Sequence, residues 1–167
     1  MISIKVKNEE KVLEINLLIS QGWLDQAISK LSLEKVKMPD IGVIELFFVN
    51  EKEIQRLNKL YRGINKKTDV LSFGFNEENS FPGENIVGQI FICPEIARKQ
   101  ALEHQVTEKE EIQFLVVHAL LHIFGFDHEK KADFKKMFEI QLKLFPQIKW
   151  QDYVELIYHE AFEREAS

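Results

Sequence analysis

Apolar and polar residues alternate from Met1 to Lys7, placing Ile2, Ile4 and Val6 on one side, and this period of two predicts a strand. The pattern then lengthens to helical spacing. Val12, Ile15, Leu18 and Ile19, followed by Leu24, Ala27, Ile28 and Leu31, predict one broken helix or two short ones over 9–19 and 22–33, with the break at Gly22. Pro39 ends the loop that follows. Val43 to Val49 is a β-rich apolar run and predicts a buried strand. Asn50 with Glu53 three residues later resembles a capping box, opening a helix to about Arg62 that turns Ile54, Leu57 and Tyr61 inward. Asp69 to Phe75 and Ile86 to Ile92 are two further β-rich runs. Between them, residues 76–85 are polar and contain Pro82-Gly83, which predicts an exposed loop.

Pro94 suits the first turn of a helix over roughly 95–105, because its missing N–H is not needed there. Thr107 and Glu110 form a second capping box before a helix that is apolar nearly all round, so that helix is expected to be central and buried. Ala132 to Leu144 is amphipathic and stops at Pro146. Trp150, Val154, Ile157, Tyr158 and Phe162 then mark a last helix with one apolar face, expected to dock on the core, the alternative being a partner-binding helix. This order predicts an α+β fold: a small mixed sheet of about four strands, helices around it, and one central buried helix carrying a metal site.

Length and composition narrow the picture. The 167 residues suit a single domain over 1–167, with 146–167 as a helical extension. Thirteen phenylalanines predict an aromatic-rich core. The single cysteine, Cys93, excludes an intramolecular disulfide and reads as a buried apolar filler. Residues 1–20 show no secretory apolar region, and no run reaches the roughly 18–20 apolar residues of a membrane helix. The expectation is a soluble cytoplasmic protein. A net charge of −5 argues against tight non-specific nucleic-acid binding, but Lys59, Arg62, Lys66 and Lys67 form a local basic cluster, as do Arg98 and Lys99.

The candidate chemistry lies between positions 118 and 128. Three of the five histidines fall there, as His118-x3-His122-x5-His128. Residues four apart share a helix face, so His118 and His122 can aim at one point. Gly125 can end the helix in the left-handed conformation and let the chain bring His128 back. Three neutral imidazoles suit one zinc ion and leave a tetrahedral position open for water or substrate. The same spacing is compatible with a buried histidine cluster, or with a closed structural site completed by Asp127, Glu129 or Cys93. An open zinc site points to hydrolysis. The spacing also matches the His-Glu-x-x-His-x-x-Gly-x-x-His pattern of metzincin proteases, except that Ala119 stands where those enzymes need a glutamate base. The isolated His104 and His159 are expected at the surface.

The segment from His118 to His128 resembles the His-Gly-x-Leu-His-Leu-x-Gly-Tyr-Asp-His signature of the YbeY family. Two further blocks resemble that family in the same order. Leu57 to Phe73 is similar to its Leu-Asn-x-x-Tyr-Arg…Thr-Asp-Val-Leu-Ser-Phe stretch, and Gly88-Gln89-Ile90 to its Gly-Asp-Ile strand. The resemblance runs from about residue 40 to 144. It implies a zinc-dependent, single-strand-specific endoribonuclease acting in ribosomal RNA maturation and ribosome quality control, with RNA or ribosomal particles as partners and the metal at the floor of a cleft. It implies His118, His122 and His128 as ligands and Arg62 as the functional arginine. Lys66 and Lys67 are then candidates for phosphate contact. Thr68, Asp69 and Ser72 can line the cleft, and Asp69 can equally cap a turn or pair with Arg62. Alternative readings are a zinc hydrolase for peptides or small molecules, and a non-catalytic ribosome-associated module with structural zinc. The chain departs from the family pattern in several places. Ala119 replaces a glycine, Gln89 an acidic residue, and Lys67 and Gly74 stand where prolines are common.

Overall fold

One alternating segment and three β-rich runs place four strands, and the helical periods fall between and after them. The computed structural model describes residues 1–8, 18–75, 85–127 and 131–144. In chain order these form β1 (Ile2–Asn8), α1 (Gln21–Leu33), β2 (Gly42–Phe48), α2 (Glu51–Arg62), β3 (Val70–Gly74), β4 (Ile86–Ile92), α3 (Pro94–Glu103), α4 (Glu108–Ile123) and α5 (Lys131–Leu144). Residues 9–17 of the helix expected over 9–19, residues 76–84 of the loop expected over 76–85, and the helix expected after Pro146 lie outside the described residues. No helix among the described residues is long and apolar enough to cross a membrane.

The sheet has the order β1-β2-β4-β3. β1, β2 and β4 run parallel, and β3 pairs antiparallel with β4 along one edge. It is the four-stranded mixed sheet of an α+β fold. Strict alternation in β2 and β4 sends Ile44, Leu46, Phe48, Ile90 and Ile92 to one side, where α1, α4 and α5 bury them completely. On the other side α2 sets Ile54 and Leu57 against Val49, Leu71 and Cys93. Phe47 and Phe91 stack there with centroids 4.7 Å apart. Further toward β1 that side turns polar. Gln89 donates to Glu45 at 2.9 Å, and Lys7 lies 3.6 Å from the same carboxylate. Gln89 is in register with Glu45, so an acidic residue at position 89 would oppose a like charge.

The helix starts follow their caps. Thr107 and Glu110 close the expected capping box: Oγ1 of Thr107 accepts from the Glu110 N–H at 3.2 Å, and the Thr107 N–H donates back to Glu110 at 2.8 Å. Asn50 caps α2 through the Glu53 N–H at 2.9 Å, but the Glu53 carboxylate turns to Arg56 instead of closing the box. Gly22 does not break the chain. Ser20 caps α1 by accepting from the Trp23 N–H, which puts Gly22 inside the first turn.

Candidate metal centre

α4 is the spine of the site. Residues from Glu111 to Val117 and from Ala119 to Leu121 are buried, so packing fixes the helix on almost every side. The methyl of Ala119 sits within the main core, 1% exposed. His118 and His122 are the half-buried interruptions of this surface. Their rings meet edge to face, with centroids 4.7 Å apart at 81°, and their Nε2 atoms lie 3.2 Å from one another. Phe114, at 6.0 Å, and Phe138, at 5.8 Å, pack against the His118 ring and set its orientation.

The two ring nitrogens stand within hydrogen-bond distance of one another, a spacing that one shared ion also accommodates. Two imidazole nitrogens bound at about 2.0–2.1 Å to one tetrahedral ion stand about 3.3 Å apart. The observed 3.2 Å fits that arrangement. His128 lies outside the described residues, and among the described residues no group of three His, Cys, Asp or Glu side chains gathers. The turn that leads toward His128 is nevertheless formed. The Gly125 N–H bonds to the His122 carbonyl at 3.0 Å and the Phe126 N–H to that of Leu121 at 2.9 Å, with Gly125 at φ +87°. This is the Schellman motif, and a side chain at 125 would strain it.

Two glycines let the end of α4 lie directly on the sheet. A Cβ on Gly88 would stand 2.9 Å from the Phe73 carbonyl oxygen and 2.9 Å from Cδ1 of Ile123, and one on Gly74 3.2 Å from the Ile123 carbonyl oxygen. Both positions thus hold the residue that follows His122. Ser72 and Gly74 are in register with Ile90 and Gly88, which places Ser72 on the side of β3 that faces α4. Arg62 is the last residue of α2 and is exposed; α2 packs on the opposite side of the sheet, with the edge strand β3 between it and α4. Lys66 is exposed in the turn after α2. Lys67 is held by Glu51, which also takes Lys99 at 2.7 Å. These two ammonium groups lower the Glu51 carboxyl to about 2. Asp69 turns its carboxylate to its own surroundings, accepting from the Val70 N–H at 2.8 Å and from the Thr68 hydroxyl at 3.1 Å. Cys93 is fully buried as expected, and burial pushes its thiol up to about 12, which removes it as a nucleophile near neutral pH.

His104 contradicts its expected surface position. Its side chain is 12% exposed, and Nδ1 lies 2.9 Å from the carboxylate of Glu111, itself 1% exposed. The pair ties the end of α3 to the first turns of α4. Periodicity missed it because the partner sits seven residues further on and across a turn, among the charged residues Glu108, Lys109 and Glu110 that open α4. Burial, with smaller contributions from the charges of Asp69 and Glu103, raises the Glu111 carboxyl above its ordinary 4.5, while His104 opposes the shift. A raised folded value means that the folded chain keeps a proton the unfolded chain releases, so this contribution to stability is lost as pH rises from 4.5 through the raised value. Denaturant titrations of the wild type and Glu111→Gln at stepped pH are therefore expected to diverge with rising pH, to the variant's advantage. A pH-independent difference would contradict this.

The chain is similar over most of its length to proteins of one family. The family profile described as Endoribonuclease YbeY matches residues 5–149. The chain belongs to the endoribonuclease YbeY family. Its relatives include the endoribonuclease YbeY of Staphylococcus carnosus, 35% identical over 126 residues that cover 72% of this chain and 82% of that protein. That of Aquifex aeolicus is 38% identical over 118 residues, covering 71% and 73%. A solution structure of a Thermotoga maritima protein superposes with a TM-score of 0.51 at 26% identity, covering 92% of this chain and 93% of that one. The YbeY match spans the later part of β1, the whole of β2, β3 and β4, the paired histidines of α4 and the segment from Leu57 to Phe73 alike.

Proposed function

We propose that this chain is a zinc-dependent endoribonuclease that cleaves single-stranded RNA in ribosomal RNA maturation and ribosome quality control. The observation that carries the reading is the 3.2 Å approach of two imidazole nitrogens on a rigid helix, in a chain that belongs to the endoribonuclease YbeY family. His118, His122 and His128 would hold the ion and leave one position open. Bound there, zinc supplies a Lewis acid for a phosphoryl oxygen and lowers the pKa of a bound water.

The chain's own residues set the rest. Arg62 offers a planar, permanently charged fork suited to the oxygens of a phosphate as negative charge accumulates during cleavage. Its exposure leaves it accessible to an RNA strand. Ala119 lies in the core and offers no carboxylate beside the imidazoles, which disfavours a peptidase mechanism that needs a general base there.

Arg62→Ala is expected to slow cleavage of a single-stranded RNA by about a hundredfold, the usual effect of deleting one donor to a developing oxyanion, with thermal stability unchanged because the side chain is exposed. Wild-type rates in that variant would remove Arg62 from the mechanism. A matching loss of fold would assign it a structural role.

A further inference from the structure

The apolar stripe of α2 outruns the sheet it packs on. Ile54, Leu57 and Asn58 are buried, and Tyr61 follows at helical spacing, yet Tyr61 is 62% exposed. This overturns the inward position expected from its period. The ring is nevertheless held. It meets Phe73 at 5.1 Å between centroids and 56°, and Phe73 meets Phe91 edge-on at 6.0 Å. An aromatic ring supported on one side and open on the other is a platform for a flat, apolar partner.

The surroundings of the ring select that partner. Lys59 and Arg62, on the last turn of α2 with it, and Lys66, in the turn that follows, are exposed, and among the described residues none of the three pairs with a carboxylate. Their neighbours Arg56, Lys67 and Lys99 are each taken by a glutamate. The turn bearing Lys66 is fixed, since the buried Asn58 side chain donates to the Lys66 carbonyl at 2.8 Å. An open aromatic face with uncompensated cations on its own helix turn and in the turn that follows matches an unstacked base with its flanking phosphates. Position agrees as well. Phe73 supports Tyr61, and the next residue, Gly74, lies against Ile123, which follows His122. The end of β3 thus lies between the platform, on the α2 side, and the helix end that carries the imidazoles, on the other.

We propose that Tyr61 is a base-stacking platform for single-stranded RNA, with Lys59, Arg62 and Lys66 holding the adjacent phosphates. The proposal rests on the endoribonuclease reading above and adds to it how the strand is gripped.

The test is binding of a non-cleavable 2′-O-methyl RNA decamer to the full-length chain, single-stranded and as a duplex. Tyr61→Ala is expected to weaken single-strand binding by roughly 5- to 100-fold and Tyr61→Phe to restore it to within about twofold, with duplex binding unaffected by either. Three results would overturn the platform: single-strand affinity unchanged in Tyr61→Ala, which would give the patch to a protein partner; equal losses on single strand and duplex; or no rescue by phenylalanine. A wild-type chain that binds no RNA overturns both readings. A wild type that cleaves RNA while Tyr61→Ala binds it normally overturns the platform alone.

Discussion

His122→Ala is expected to lose bound zinc and to slow RNA cleavage by more than about a hundredfold, since loss of even an outer partner of a metal ligand lowers metal affinity or activity by 10- to 100-fold. The helix is expected to survive. His122 is half-buried near the end of α4, whereas the hold of α4 on the core comes from Ile112, Leu115, Val116, Leu120 and their neighbours. Metal content by atomic emission, circular dichroism and cleavage of a labelled single-stranded RNA on the same preparation check the three parts together. An unfolded His122→Ala chain would instead favour a structural metal coupled to folding. A folded, metal-free and fully active variant would remove the imidazole pair from the chemistry.

Gly88→Ala is expected to destabilise the chain by about 1–3 kcal/mol, the usual range for forcing a methyl into a packed interior. The reason is local. The new Cβ would stand 2.9 Å from the Phe73 carbonyl oxygen, part of the β3–β4 ladder, and 2.9 Å from Cδ1 of Ile123. The Ile123 side chain can move, but the carbonyl can yield only by disturbing the pairing. Because Ile123 follows His122, the same displacement reaches the imidazoles, so cleavage at a temperature where the variant is fully folded is expected to fall as well. Adding Ile123→Ala relieves one of the two close approaches and is expected to recover part of the stability. Thermal melts and rates on the single and double variants read this directly. A Gly88→Ala chain as stable as the wild type would show that β4 and the end of α4 do not press together as described.

Much of this architecture is legible in the sequence, for identifiable reasons. β1 alternates because one side of it packs on the core, the other strands show as β-rich runs because they lie within the sheet, and the start of α4 is fixed by reciprocal bonds that need only Thr107 and Glu110. Gly125 marks a left-handed residue because few side chains tolerate that backbone. The two imidazoles converge because helical spacing alone brings positions 118 and 122 together.

The misses share a cause. Periodicity says which residues share a side of an element, but not whether anything lies opposite. Tyr61 keeps the period of Ile54 and Leu57 but extends past its cover. His104 stands apart from the other histidines in sequence, yet a turn at Gln105, which takes a positive φ of 57°, folds it onto Glu111. Gly74 and Gly88 gave no periodic signal, because their role is to leave room for a helix distant in sequence. Arg62 as a functional group came from the resemblance to the YbeY family, not from spacing; by itself it is one exposed cation at a helix end.

The most direct test of the central claim is a zinc titration of the metal-stripped, full-length chain, with bound metal and cleavage of a single-stranded RNA followed together. The expected result is no cleavage without metal and a rate that rises in proportion to bound zinc, reaching its plateau at about one ion per chain. Full-rate cleavage by the stripped chain, or zinc bound at that stoichiometry with no cleavage, would contradict it.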